Sequence, residues 1–178
     1  RGPGRLPVPF EKFDIAVVIA SVLALAGWVV SPRHAAVAVL AAVAAVLNLG
    51  RLARWAGDRT WAEPLVSILH VGYLFVPIGF LLVGLGIWRP DVILPTGALH
   101  GWTTGAIAVM TLAVMTRASL GHTGRDLKAT RPIQLIYLAA VAAALARITA
   151  AFGLWREPML YVSTAAWISA FGGFAAVY

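Results

Sequence analysis

The sequence predicts an all-α protein, a polytopic transmembrane helix bundle of about six spans, read as a single transmembrane helical domain over residues 1–178. Three observations carry this. Hydrophobic residues make up 61% of the chain and charged residues 12%, far too apolar for an ordinary soluble domain. Several apolar stretches approach the ~20 residues that cross a ~30 Å hydrocarbon core. No long alternation of polar and apolar residues is present, which argues against a membrane β-barrel.

The spans follow in order. The first runs from about Asp14 to Val30 and is ended by Ser31-Pro32. The second covers about His34 to Gly50 and is rich in alanine and valine; small residues let helix backbones approach closely in lipid. The third starts at Pro64, a good first-turn residue, and reaches about Ile87. The fourth covers about Thr96 to Thr116, the fifth about Pro132 to Phe152, and the sixth runs from about Pro158 to the end. Pro64, Pro132 and Pro158 each stand where a helix begins without wasting an N–H. No internal repeat is visible. The polar stretch Arg1–Glu11 lacks the pattern of a cleavable secretory signal. The chain starts on an arginine and ends on "AAVY", so it is expected to be part of a longer polypeptide.

Charge sets the orientation. Arg1, Arg5, Lys12, Arg51, Arg54, Arg59, Arg117, Arg125, Lys128 and Arg131 collect on one side, ten in all; Arg33, Arg89 and Arg156 make three on the other. Cytoplasmic loops carry the excess of Lys and Arg, so the first side is expected in the cytoplasm. The net charge of +7 is therefore mostly topology, and no nucleic-acid partner is expected. Cysteine is absent, which excludes disulfides, thiolate ligands and iron–sulfur clusters from this chain. A metal or haem iron has to be held by histidine, methionine, carboxylate or a partner.

Four histidines supply the candidates. His34 opens the second span beside Arg33 and reads as an interfacial polar residue. His70 lies six residues after Pro64, ~9 Å in from the cytoplasmic end. Ionisable groups at membrane depth are rare and functional by default, and neutral imidazole is a common metal ligand. Two readings stand for His70, a metal or haem ligand and a histidine hydrogen-bonded to a neighbouring helix. His100 lies ~8 Å in from the opposite edge, with Thr104 and Thr111 on its helical face. Met110 and Met115 follow on that span; thioethers bind Cu(I) but usually only pack.

Arg147 is the unexpected residue. It lies fifteen residues after Pro132 in "AAVAAALARITAAF", at about the depth of His100, and no carboxylate of the chain lies at that depth. It either snorkels to the interface or pairs with an anion from elsewhere, a haem propionate or a substrate. The ~13 Å axial gap between His70 and His100 is too large for one metal ion, so two sites are expected. "LGHTGR", residues 120–125, reads either as a plain turn made by Gly121 and Gly124, or as a site in which His122 nears the level of His70 and Arg125 holds an anion.

The blocks "EPLVSILHVGYLFVPIGFLLVGLG" and "ALHGWTTGAIAVMTLAVMTRASLGHTGR", with "NLGRLARWAGDRTW", "ARITAAF" and "WISAF", resemble the NnrS family of bacterial membrane proteins over roughly residues 45–175. The resemblance implies a haem- and copper-containing multi-pass protein of the bacterial inner (cytoplasmic) membrane, tied to nitric oxide metabolism, denitrification and nitrosative stress. Family members are longer, so this chain resembles their C-terminal half, and the missing N-terminal half or partner helices are implied as partners, together with the lipid bilayer and nitric oxide or another small ligand. The family's N-terminal histidine motif has no match here. The implied cofactors are haem b and copper. The implied cofactor-binding residues are His70, His100, His122, Arg125 and Arg147, with the three histidines as metal ligands. The alternative is a transporter or channel-like protein that binds a small anion through Arg147. The sequence leaves the reaction open.

Overall fold

The computed structural model describes residues 6–178. Helix α1 spans Lys12–Val30, α2 Ala35–Arg54, α3 Pro64–Trp88, α4 Pro95–Ala98, α5 Ala108–His122, α6 Arg131–Ala151 and α7 Arg156–Val177; a 3₁₀ turn covers Gly57–Arg59 and a π-helical segment Gly101–Ile107. There is no strand among the described residues. Among the described residues, six helices are long and apolar enough to cross a membrane, the fourth being the composite Thr96–His122. The chain is thus a multi-pass, all-α bundle, as composition and apolar length require.

Local chemistry explains where the helices start and stop. Glu11 and Asp14 form a reciprocal capping box at the start of α1. His34 caps α2 by accepting the Ala36 N–H on Nδ1 (3.2 Å). Arg51 and Arg54 end α2, where cations offset the helix dipole. Pro64 fills the first turn of α3. Between α3 and α4 the exposed Arg89 guanidinium grips Asp91 with two bonds of 3.0 and 2.8 Å, which holds that carboxyl below its ordinary range.

The fourth span departs most from expectation. It continues to His122 rather than stopping near Thr116, and about a quarter of its length is π-helical. A π-helix winds wider than an α-helix, so it shifts the face that later residues present. Thr104 stays beside His100, whereas Thr111 is exposed on the outside of the bundle. The expected polar stripe of His100, Thr104 and Thr111 is therefore broken after Thr104. The π segment also meets α3 at unusually close range. A Cβ on Gly79 would lie 2.2 Å from the Trp102 ring, and one on Gly105 would lie 2.5 Å from Phe75. This is small-residue packing of the kind that holds helices together in lipid. The Trp102 indole N–H donates to the Val76 carbonyl at 3.0 Å, immediately before Pro77, which has no N–H to give.

Helix α3 is the central element, with ten buried residues, and it faces α2 on one side and the π segment and α5 on the other. The alanine-rich α6 packs along α7, where the Ser163 hydroxyl donates to the Ala143 carbonyl at 2.9 Å. Helices α1 and α7 are the least enclosed spans and show apolar side chains outward, as lipid-facing helices do.

Candidate functional site

Polar side chains gather at the two ends of the bundle. One end carries the start of α1, the end of α2 and the start of α3, with most of the arginines; it is called the basic end below. The α3–α4 connection and the junction of α6 with α7 form the opposite end.

At the basic end, His70 stands one turn and a half into α3. Its Nδ1 lies 3.1 Å from the Val66 carbonyl, which accepts only, so Nδ1 carries a proton, and in the neutral imidazole Nε2 keeps its lone pair. The Trp55 ring meets the imidazole edge to face at 6.1 Å. The loop between α2 and α3 closes over it: Ala56 takes left-handed backbone (φ 53°), and a Cβ on the next residue, Gly57, would lie 2.5 Å from His70 Cδ2. Ser67 and Thr60 tie that loop down by donating to the Thr60 and Gly57 carbonyls. The result is a mostly apolar cavity of about 380 Å³, with His70, Ser67, Thr60 and Trp61 in its wall. Small-molecule sites occupy roughly 300–1,000 Å³.

Beside it runs a buried polar chain that the sequence reading missed. Arg51 Nε donates to Asp14 at 3.1 Å, and its Nη1 lies 3.5 Å from the Tyr73 hydroxyl. Tyr73 donates to Asn48 Oδ1 at 2.6 Å, and Asn48 Nδ2 donates to Ser21 at 2.9 Å and to the Ala44 carbonyl at 2.8 Å. Asp14 and Asn48 are each 3% exposed. The Arg51 guanidinium also stands 5.3 Å from the Trp55 ring, so this chain backs the aromatic that faces His70. The signal was present: Asn48 is an amide inside an alanine-rich span, and Tyr73 is three residues from His70.

At the opposite end the structure brings His100 and Arg147 together. Arg147 Nε donates to His100 Nε2 at 3.1 Å. The imidazole is therefore neutral, with its proton on Nδ1, 3.4 Å from the Thr103 hydroxyl. Two cavities adjoin the pair. One of about 110 Å³ adds Thr96, Gly97 and Arg156; one of about 260 Å³ adds Thr103, Thr104, Ser163, Thr164 and Trp167. Among the described residues, no carboxylate lies within ion-pair distance of Arg147 or Arg156.

His122 is the last residue of α5, so "LGHTGR" is a helix end followed by a turn on Gly124 (φ 65°). It is exposed and borders a cavity of about 410 Å³ with Met115, Arg125, Phe174 and Tyr178. Arg125 leans on the end of α7, reaching the Val177 carbonyl at 3.4 Å and the Tyr178 ring at 5.6 Å. His122 and His70 border different cavities, and no described residue lines both. Nor do any three of His, Asp and Glu gather to hold a metal ion among the described residues.

Among known protein families, the one described as NnrS protein matches residues 4–178. No curated protein and no solved structure gives a significant match.

Proposed function

The chain belongs to the NnrS family, and on that premise we propose that it is a haem-binding protein of the bacterial inner membrane, acting in nitric oxide metabolism or nitrosative stress tolerance, with His70 as the residue that would hold the haem iron. The observation that carries the assignment is the bond from His70 Nδ1 to the Val66 carbonyl. A metal-binding imidazole commonly donates its other N–H to a carbonyl, which fixes ring and tautomer and leaves the second nitrogen basic. Here that second nitrogen is Nε2, on a ring that borders a cavity of small-molecule size. Bound haem iron supplies a site for nitric oxide or a carrier for an electron. The chain's own contribution is positional. Val66 and Trp55 hold the imidazole, the Arg51–Tyr73–Asn48 chain backs Trp55, and Gly57 of the 55–61 loop lies against the ring.

One histidine per cavity fits a single axial haem ligand. Among the described residues no three of His, Asp and Glu gather to hold a copper ion. His100 is a poor metal ligand as it stands, because its lone pair on Nε2 already accepts from Arg147.

The test is spectroscopic. His70→Ala in the complete protein is expected to insert and lose or shift the Soret band, and added imidazole should restore part of it. A normal spectrum in His70→Ala would remove His70 from the site. His100→Ala should leave the band in place.

A further inference from the structure

We propose that the pocket between Arg147 and Arg156 binds a small planar oxyanion with two oxygens, of the carboxylate or nitrite class. The site is distinct from the His70 cavity, and the proposal stands without that assignment.

The argument begins with valence. A guanidinium has five N–H donors in a rigid fork. Arg147 spends Nε on His100 and, among the described residues, shows no other hydrogen bond, so both Nη groups remain. The partner is informative. A neutral imidazole fixes the orientation of the guanidinium without cancelling its charge, whereas a carboxylate would do both. The residue stands four positions before the end of α6, ~6 Å along the axis, which is deep enough to weaken solvation and shallow enough for an ion to enter. A second cation, Arg156, approaches from the start of α7. The hydroxyls of Thr96, Thr103, Thr164 and Ser163 line the two adjoining cavities. Ser163 and Thr103 already have protein partners, so Thr96 and Thr164 are the free donors. An unpaired guanidinium at a helix centre costs ~2.5–3.5 kcal/mol on insertion scales, less near an interface, and an anion is the natural counter-charge. Guanidinium pairs bidentately with planar two-oxygen groups, which selects them over spherical halides.

Two sources present that chemistry, a free ion and the propionate of a bound haem. The experiment follows thermal unfolding of the complete protein in detergent, with and without bound haem, against sodium formate, sodium nitrite and sodium chloride at equal ionic strength. Formate and nitrite are expected to stabilise the haem-free protein beyond chloride, as a ligand that binds only the folded state must. A gain that persists with haem bound identifies a free ion; a gain that disappears identifies a propionate as the occupant. Both outcomes support the pocket. Arg147→Lys keeps the charge and loses the fork, and should weaken the apparent affinity by roughly tenfold to a hundredfold, the loss of one charge-assisted hydrogen bond. Should that variant fail to fold, Arg156→Gln, at an exposed position, should still show a reduced gain. Formate and nitrite acting no more strongly than chloride, or equally on wild type and the variants, overturns the proposal.

Discussion

Arg51 and Arg147 lie within membrane-length helices near the two ends of this bundle, and their surroundings differ in kind. Arg51 meets a buried carboxylate at 3.1 Å, a tyrosine hydroxyl and an aromatic face. Arg147 meets a neutral imidazole at 3.1 Å and, among the described residues, no acid. The first is satisfied and neutralised; it braces α1, α2 and α3. The second is oriented but keeps its charge and most of its donors. A buried arginine is thus not a functional signal by itself. What matters is whether its partner cancels the charge or leaves it available.

The largest expected effect breaks the satisfied side. Asp14→Ala leaves Arg51 without its carboxylate in a mostly enclosed place. Removing one partner of a buried pair costs ~3–5 kcal/mol, and the lower end applies because the Arg51 side chain is 20% exposed. Arg147→Met should cost under about 1 kcal/mol, since it removes one neutral-acceptor hydrogen bond near an interface and relieves an uncancelled charge. Thermal unfolding of both variants in the same detergent decides. Equal losses would mean that Arg147 has a structural partner comparable to Asp14, and the contrast between the two ends would fail.

A middle-sized effect is expected at the crossing of α3 with the π segment, which positions His100. Gly79→Ala would place a methyl carbon 2.2 Å from the Trp102 ring. Trp102 has little room to yield: it donates to the Val76 carbonyl and stands against Phe80 at 5.0 Å and Trp28 at 6.1 Å. Overpacking of this kind costs about 1–3 kcal/mol. The shift should also reduce the anion-induced stabilisation at Arg147 while leaving the His70 cavity unchanged. A variant with wild-type stability and anion response would show that the crossing is looser than its geometry implies.

Sequence carried the six spans, because apolar length is a one-dimensional property, and it carried the common depth of His100 and Arg147, because rise per residue converts position into height. It did not carry which side chains meet around the bundle axis. By sequence Asp14 only heads the first span and Asn48 only interrupts an alanine-rich one, yet they anchor one polar chain through Arg51 and Tyr73. Arg156 was counted as loop charge, though it borders the Arg147 pocket. His122 and His70 share a side by residue counting and open into different cavities in three dimensions. Angular position depends on helix winding, and the fourth span winds as a π-helix over Gly101–Ile107, which α-helical spacing does not anticipate.

The smallest effect tests that winding directly. Regular α-helical spacing from His100 puts Thr104 and Thr111 on one face, and both would then matter to the pocket. In the structure the two threonines differ. Thr104 borders the pocket beside Arg147 and donates to the His100 carbonyl at 2.6 Å. Thr111 is exposed, beyond the wider π turn, on a surface that faces lipid. Thr104→Val keeps shape and β-branching but removes the hydroxyl, so it loses a local hydrogen bond worth about 1 kcal/mol and alters the wall of the pocket. Thr111→Val exchanges a hydroxyl for a methyl in an apolar medium and should change stability by no more than about 0.5 kcal/mol, with stabilisation as the expected sign. The paired measurement is thermal stability with and without formate. Thr104→Val should lower both the baseline and the formate response, and Thr111→Val should lower neither. If Thr111→Val reduced the formate response as much as Thr104→Val, the two residues would share a face, the π segment would be an ordinary α-helix in the membrane, and the pocket at Arg147 would extend further into the bundle than its present walls.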